Sequence, residues 1–248
     1  MERKRQDNIT ALLGLLDTRD FYSRLYSLQL IFQISSARPE RTQECILTAP
    51  LGIPRLVSAL SDAREPVRNE ALLLLIALTP ASEELQKLVA FENAFDLILS
   101  LIEKEGALSH GVEVVEDCLS LLANLLRLNT SNQSYFRETG CVKRLAKLLA
   151  DVNYEQATDE PMPQWTLAHR DKNIWGLLVI VQLFLVRGGV NTPANQLAFW
   201  HSGVMEQVLS AAFSQKFSVN VTSKVWDITV SVSLFVTDLS RHSQLAPI

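Results

Sequence analysis

The sequence of 248 residues has little glycine and proline, nine of each, which disfavours a sandwich or barrel built from many tight turns. Its three cysteines, Cys45, Cys118 and Cys141, form no CxxC pair, which argues against a disulfide framework or a structural zinc site. With 23 basic and 27 acidic residues there is no excess of positive charge, so nucleic acid is not an expected partner. The apolar, uncharged run Ile174 to Val186 has 13 residues and is too short to cross a bilayer.

The composition instead favours a folded, helical protein of the cytoplasm. Hydrophobic residues make up 48% of the chain and the mean hydropathy is +0.12, which is enough apolar material to bury a core. The charged start, Met1 to Asp7, does not resemble a secretory signal. We therefore expect free cysteines in a reducing compartment, and contact with membranes that is at most peripheral.

An internal repeat organises the chain. Four segments share a glutamine in a short amphipathic helix, a break about seven residues later, and an apolar helix ending in a leucine-rich turn. They begin at Gln43, Gln86, Gln133 and Gln196, which are 43, 47 and 63 residues apart. The last interval contains a polar stretch of 20 residues, Asp151 to Arg170, whose removal returns a spacing of 43. A period of about 40–47 residues with helical units is typical of armadillo and HEAT arrays.

Each unit continues into a third, longer helix. These predicted helices are Phe21–Ile34, Glu65–Leu78, Glu113–Leu128, Lys172–Val186 and Val221–Val236. They are apolar around most of their girth, so neighbouring repeats must cover them. We predict an all-α, armadillo-like right-handed superhelical solenoid of about four and a half three-helix repeats in a single domain. The expected bounds are a partial repeat at 7–35 and repeats at about 41–79, 82–129, 131–187 with the insertion 151–170, and 194–240.

Local signals support these bounds. Asp20 is a predicted N-cap for the first of the third helices. The breaks inside the units fall at residue types that tolerate a left-handed backbone, namely Gly52, Asn93, Gly140 and Gly203. The β-branched run that begins at Asp227 also fits a strand, and this alternative to the last helix stays open.

No catalytic motif is present. The sequence has no GxSxG, HExxH, P-loop or GxGxxG pattern, and its four histidines have no ligand spacing. Glu116 and Asp117 are adjacent on a helix, so their side chains point about 100° apart and do not share a site. An importin-type peptide groove needs tryptophan four residues before asparagine, but Ser120 precedes Asn124. We therefore predict a protein that is not an enzyme and has no metal or cofactor.

The polar insertion 151–170 holds four acidic residues and no lysine or arginine before Arg170. The segment Pro161 to Trp165 is predicted to resist helix formation and to expose the aromatic side chain of Trp165. The insertion fits a solvated, mobile loop. The alternative is a loop that docks a partner, with Trp165 as a candidate contact, because loops are where such arrays vary.

Several strings resemble a known family. They are LVAFENAF at 88–95, GVEVVEDCLSLLANLL at 111–126, Asn132-Gln133 with Phe136, and the run 51–75. These strings are similar to the armadillo head of the vesicle-docking general transport factors, the coiled-coil tethers of ER-to-Golgi traffic, in a fungal style. The resemblance is strong from about Asp7 to Leu149 and looser after the insertion, and it covers only a fragment of such proteins.

The resemblance implies a function in vesicle tethering. Members of that family bind a Rab-type small GTPase and SNARE proteins, form homodimers, and associate peripherally with Golgi and ER-derived vesicle membranes. This chain has neither the heptad-rich segment nor the acidic tail of that plan. Exposed members of the matched strings are candidate partner contacts, namely Glu92, Glu116, Asp117 and Asn124. Two alternatives remain: a soluble armadillo adaptor such as an Hsp70 nucleotide-exchange regulator, and a hydrolase with an unrecognised site.

Overall fold

A computed structural model describes residues 2–155, 163–186, 188–213 and 220–229. Within these ranges the chain is helical and contains no strand. The helices are α1 Glu2–Gly14, α2 Phe21–Ala37, α3 Pro39–Thr48, α4 Gly52–Ser58, α5 Glu65–Leu78, α6 Glu83–Phe91, α7 Ala94–Lys104, α8 Ala107–His110, α9 Glu113–Leu126, α10 Thr130–Glu138, α11 Cys141–Glu155, α12 Gln164–Phe184, α13 Thr192–His201, α14 Val204–Phe213 and α15 at 220–229.

The chain divides into two compact units. Unit 1 comprises Met1–Leu101 with Ser120–Asn132, and unit 2 comprises Ile102–Leu119 with Gln133–Ile248. In unit 1, α2 packs against α1, α3 and α5 and buries Leu28 and Ile31 completely. In unit 2, α12 packs against α8 and α13, and α11 packs against α8 and α14.

The core of unit 2 contains a row of aromatic rings. Phe136, Phe184 and Phe199 come from α10, α12 and α13, and all are at most 1% exposed. Ring centroids lie 5.5 Å apart for the first pair and 5.1 Å apart for the second. Tilted rings at such distances pack favourably and bury a large apolar area. The row therefore joins one short helix to the end of a long helix and to the next short helix.

The predicted starts of the first three long helices are confirmed. Helices α2, α5 and α9 begin at Phe21, Glu65 and Glu113, as local signals indicated. The Asp20 carboxylate accepts a hydrogen bond from the Ser23 backbone N–H at 2.7 Å, so Asp20 is the N-cap of α2. A cap of this kind satisfies one of the backbone donors that a helix start leaves without an intrahelical partner.

Side-chain amides of two short helices bond forward along the chain. Gln43 on α3 donates from Nε2 to the carbonyl oxygen of Leu78 at 2.8 Å. Gln133 on α10 donates in the same way to Leu183 at 3.4 Å. Both acceptors lie at the C-terminal end of the next long helix, where carbonyl groups have no intrahelical donor. These glutamines therefore link a short helix to the long helix of the same predicted repeat.

Gln86 has a different role from these two glutamines. Its Nε2 donates backward to the carbonyl of Thr79 at 2.9 Å, and Asn132 donates backward to Leu125 at 2.8 Å. Asn195 donates likewise to a carbonyl at the end of α12, at 3.1 Å. By hydrogen bonding, Gln86 corresponds to the two asparagines and not to the two other glutamines. The sequence alignment of the repeats is therefore wrong by one residue at Gln86.

Left-handed residues mark the breaks inside the units. Three of the predicted breaks have positive φ, at Asn93 (64°), Gly140 (78°) and Gly203 (81°). At the first break the left-handed residue is Leu51, with φ of 55°, and Gly52 is the first residue of α4. A Cβ on Gly52 would overlap the carbonyl oxygen of Ile46. Glycine is thus required there for close approach of two helices and not for its φ angle.

The predicted insertion is helical at both of its described ends. Helix α11 continues to Glu155, and α12 begins at Gln164, eight residues before the predicted start at Lys172. Pro163 precedes the first turn of α12, a position where proline costs no hydrogen bond. The helix therefore begins directly after Pro163, and Trp165, which was predicted to lie in a non-helical segment, is part of α12. Residues 156–162 lie outside the described part, so the mobile loop stays a prediction for them.

The last long helix is confirmed in part. Residues 220–229 are helical, which excludes the strand alternative over that range. The remainder of the predicted helix, up to Val236, lies outside the described residues. The repeat bounds as a whole stay a prediction.

Candidate interaction surface

Helix α2 carries an apolar stripe on its exposed side. Four large side chains follow one another at intervals of four residues, with exposed fractions in parentheses: Tyr22 (59%), Tyr26 (54%), Leu30 (51%) and Ile34 (39%). Residues four apart form a continuous ridge on a helix. The rings of Tyr22 and Tyr26 stack with their centroids 5.9 Å apart at the N-terminal end of the ridge. We call these four residues the α2 stripe.

Polar and charged groups border the α2 stripe at both ends. Near its start, the Arg64 guanidinium lies 5.8 Å from the centre of the Phe21 ring, a cation–π distance. Near its end, a groove of about 680 Å³ separates α1, α2 and α3. Its walls include Ala37, Arg38 and Cys45 beside the last two residues of the stripe. Burial raises the pKa of the Cys45 thiol; the Glu44 carboxylate adds to this rise and the Arg41 guanidinium opposes it.

The two candidate contacts in unit 1 differ in accessibility. Glu92 is exposed at the C-cap of α6, directly after Phe91, which is 68% exposed. Asn124 on α9 is half-buried and donates from Nδ2 to the carbonyl of Ile76 at 3.2 Å and to Thr79 Oγ1 at 3.4 Å. Glu92 is therefore available to a partner, whereas Asn124 ties α9 to the end of α5.

In unit 2, Glu116 is engaged by α12. Its Oε1 lies 2.7 Å from His169 Nδ1 and 3.4 Å from Lys172 Nζ. His169 belongs to the predicted insertion and Lys172 is the predicted start of the long helix, and both lie on α12. Glu116 therefore joins α9 to α12, and its carboxylate is only partly accessible, with 27% of the side chain exposed.

The neighbouring Asp117 has a perturbed carboxyl group. Burial is the largest cause that raises its pKa, followed by repulsion from the carboxylates of Glu116 and Glu113. A raised pKa means that the folded state disfavours the ionised form of Asp117. The ionised carboxylate of Asp117 is therefore less stable on the α9 surface than a fully solvated carboxylate would be.

Trp165 is exposed, as its sequence context predicted, with 62% of its surface accessible. It lies in the first turn of α12 and not in a loop. His169, which contacts Glu116, follows one helical turn later. Trp165 therefore lies one helical turn before His169, the residue of α12 that Glu116 of α9 contacts.

The described residues contain no group of three or more His, Cys, Asp or Glu side chains that could hold a metal ion. Cys45, Cys118 and Cys141 form no disulfide with one another. Among the helices that the structure describes, none combines the length and apolar character that a bilayer span requires.

Neither the α2 stripe nor the partners of Glu116 were predicted from the sequence. The stripe has a visible signal, because apolar residues recur every four positions from Tyr22 to Ile34. Periodicity alone does not say whether such a ridge faces a core or solvent. His169 and Lys172 had no signal at all, since the pairing joins residues more than 50 positions apart.

Comparisons with known proteins give a consistent result. No family model matches the chain. It is 38% identical to the intracellular protein transport protein USO1 of Saccharomyces cerevisiae over 240 residues, which are 97% of this chain and 13% of the relative. It is 44% identical to the human general vesicular transport factor p115 over 142 residues, which are 57% of this chain and 15% of that protein. The chain therefore spans a small part of the relatives it matches.

Solved structures confirm the fold. A crystal structure of Uso1 matches with a TM-score of 0.85 and 37% identity, over 92% of this chain and 33% of that chain. An armadillo-repeats-only protein of Plasmodium falciparum matches with a TM-score of 0.65 at 12% identity, over 92% and 94% of the two chains, which shows the fold alone. The prediction of an all-α, armadillo-like solenoid is confirmed. The names of the relatives describe transport factors, which supports the prediction that the protein is not an enzyme.

Proposed function

Because the chain belongs to the family of Uso1 and p115 vesicular transport factors, we propose that it acts as part of the head of a vesicle tether in ER-to-Golgi transport. The family acts in intracellular protein transport. The observation that carries the proposal is the similarity to yeast USO1, which extends over 97% of the chain and so includes both units. In this function the protein binds a Rab-type GTPase and SNARE partners and associates peripherally with Golgi and vesicle membranes.

Tethering requires a rigid platform rather than chemistry. Within each unit, side-chain amides cross-link neighbouring helices, and such cross-links favour a rigid platform. Weak contacts with partners become strong when two heads act together, so a homodimer of the full-length protein multiplies the affinity of each head. The relatives favour this function over the alternative of an Hsp70 nucleotide-exchange regulator. The fungal type stays a prediction, because the relatives include fungal, mammalian and plant proteins.

Partner contact at the candidate residues follows their accessibility. Glu92 and Trp165 are exposed and free to meet a partner, and Asp117 is partly exposed. Glu116 and Asn124 already bond within the protein, so they contribute by holding α9 in place. We therefore place the first contacts of a GTPase at Glu92 with its neighbour Phe91, or at Trp165.

The decisive experiment is a binding assay of the chain against a panel of Rab-type GTPases, each loaded with a GTP analogue or with GDP. We expect at least one GTPase to bind in the GTP-analogue state with at least about tenfold preference over the GDP state, as nucleotide-dependent switch segments require. Glu92→Lys should weaken that binding if the first contact lies on α6. Glu138→Lys is the matched control, because Glu138 is equally a solvent-facing acid at the end of a short helix.

Two results would overturn the proposal together. One is that no GTPase of the panel binds in either state. The other is that depletion of the full-length protein leaves ER-to-Golgi transport unchanged. If the Trp165→Ala and Glu92→Lys variants both bind the GTPase as tightly as the parent does, neither residue is a contact. The proposed tethering function would not be affected by that result.

A further inference from the structure

We draw no further inference here: the strongest candidate, the exposed α2 stripe with the groove of about 680 Å³ beside its end, carries none, because nothing in the structure shows what covers this face.

Discussion

Asn132 offers a sharp test of how the repeats are held together. It is 2% exposed, and its Nδ2 donates to the carbonyl of Gln86 at 3.1 Å and to that of Leu125 at 2.8 Å. The acceptors belong to α6 and α9, so one side chain joins two other helices of unit 1. Asn132→Ala removes both bonds and leaves Leu125, at the end of α9, with a buried carbonyl that has lost its side-chain donor.

The expected cost follows from these contacts. Each neutral hydrogen bond contributes about 1 kcal/mol net, and a buried acceptor left without its donor adds to the loss, so Asn132→Ala should lower the free energy of unfolding by about 2–3 kcal/mol. For a chain of this size that corresponds to a fall in Tm of about 5–10 °C. Urea unfolding followed by far-UV circular dichroism measures the first quantity, and scanning calorimetry measures the second.

Asn124→Ala is the matched control, because Asn124 makes two longer bonds, 3.2 and 3.4 Å, from a half-buried position. It should cost no more than about 1 kcal/mol. Since repeat arrays do not always unfold in one step, hydrogen exchange of the α6 and α9 amides locates the effect. The reasoning is refuted if Asn132→Ala lies within about 0.5 kcal/mol of the parent, or if the control costs as much.

Three further predictions concern single residues. Leu128 is 92% exposed and has φ of 55°, so Leu128→Asn should raise the free energy of unfolding by about 1 kcal/mol in urea titrations, and a loss would contradict the assignment of strain. Burial and, after it, neighbouring carboxylates raise the pKa of Asp117, so the parent loses stability as pH rises above the ordinary carboxyl range. Asp117→Asn should therefore have a higher Tm than the parent at pH 7, and this difference should disappear near pH 3. Equal differences at both pH values would refute the prediction. Gly52→Ala places a Cβ against the carbonyl oxygen of Ile46 and should lower the free energy of unfolding by about 1–3 kcal/mol. Gly14→Ala is the control, because Gly14 has open space around it at the end of α1; it should be neutral or raise that free energy by up to about 1 kcal/mol. Similar values for the two variants would exclude the close approach as the cause.

Local chemistry made much of the fold predictable. The starts of α2, α5 and α9 follow from a capping aspartate, a proline in the first turn and the onset of helical periodicity, all of which act over a few residues. The predicted start of α12 at Lys172 was wrong, because Pro161 and Pro163 were expected to prevent helix formation in the residues that follow them. Proline restricts the residues before it, and the chain can begin a helix directly behind it.

The candidate surface was less predictable, because accessibility depends on residues far away in the chain. Exposure of Glu92 and Trp165 was expected correctly, since each adjoins a helix end. Glu116 and Asn124 were expected to face partners, but they bond to α12 and α5, about 50 residues away. A polar residue within an apolar helix fits a link to a neighbour as well as a contact with a ligand, and spacing does not separate the two.

The α2 stripe illustrates the same limit. Its four-residue spacing indicated an amphipathic or buried helix, and α2 is indeed buried on its other side through Leu28 and Ile31. Which side of such a helix meets solvent depends on the helices that pack against it. No pattern within α2 itself carries that information.

The buried amides also restrict how the leucine-rich helices can pair while the chain folds. Many of these helices are interchangeable as apolar surfaces, and collapse alone would allow wrong partners. An amide such as that of Asn132 or Asn195 reaches its carbonyl in one alignment only, and a shifted pairing strands several polar groups at once. Misassembled arrangements are thereby penalised, so a sequence rich in leucine can still encode a single order of stacking.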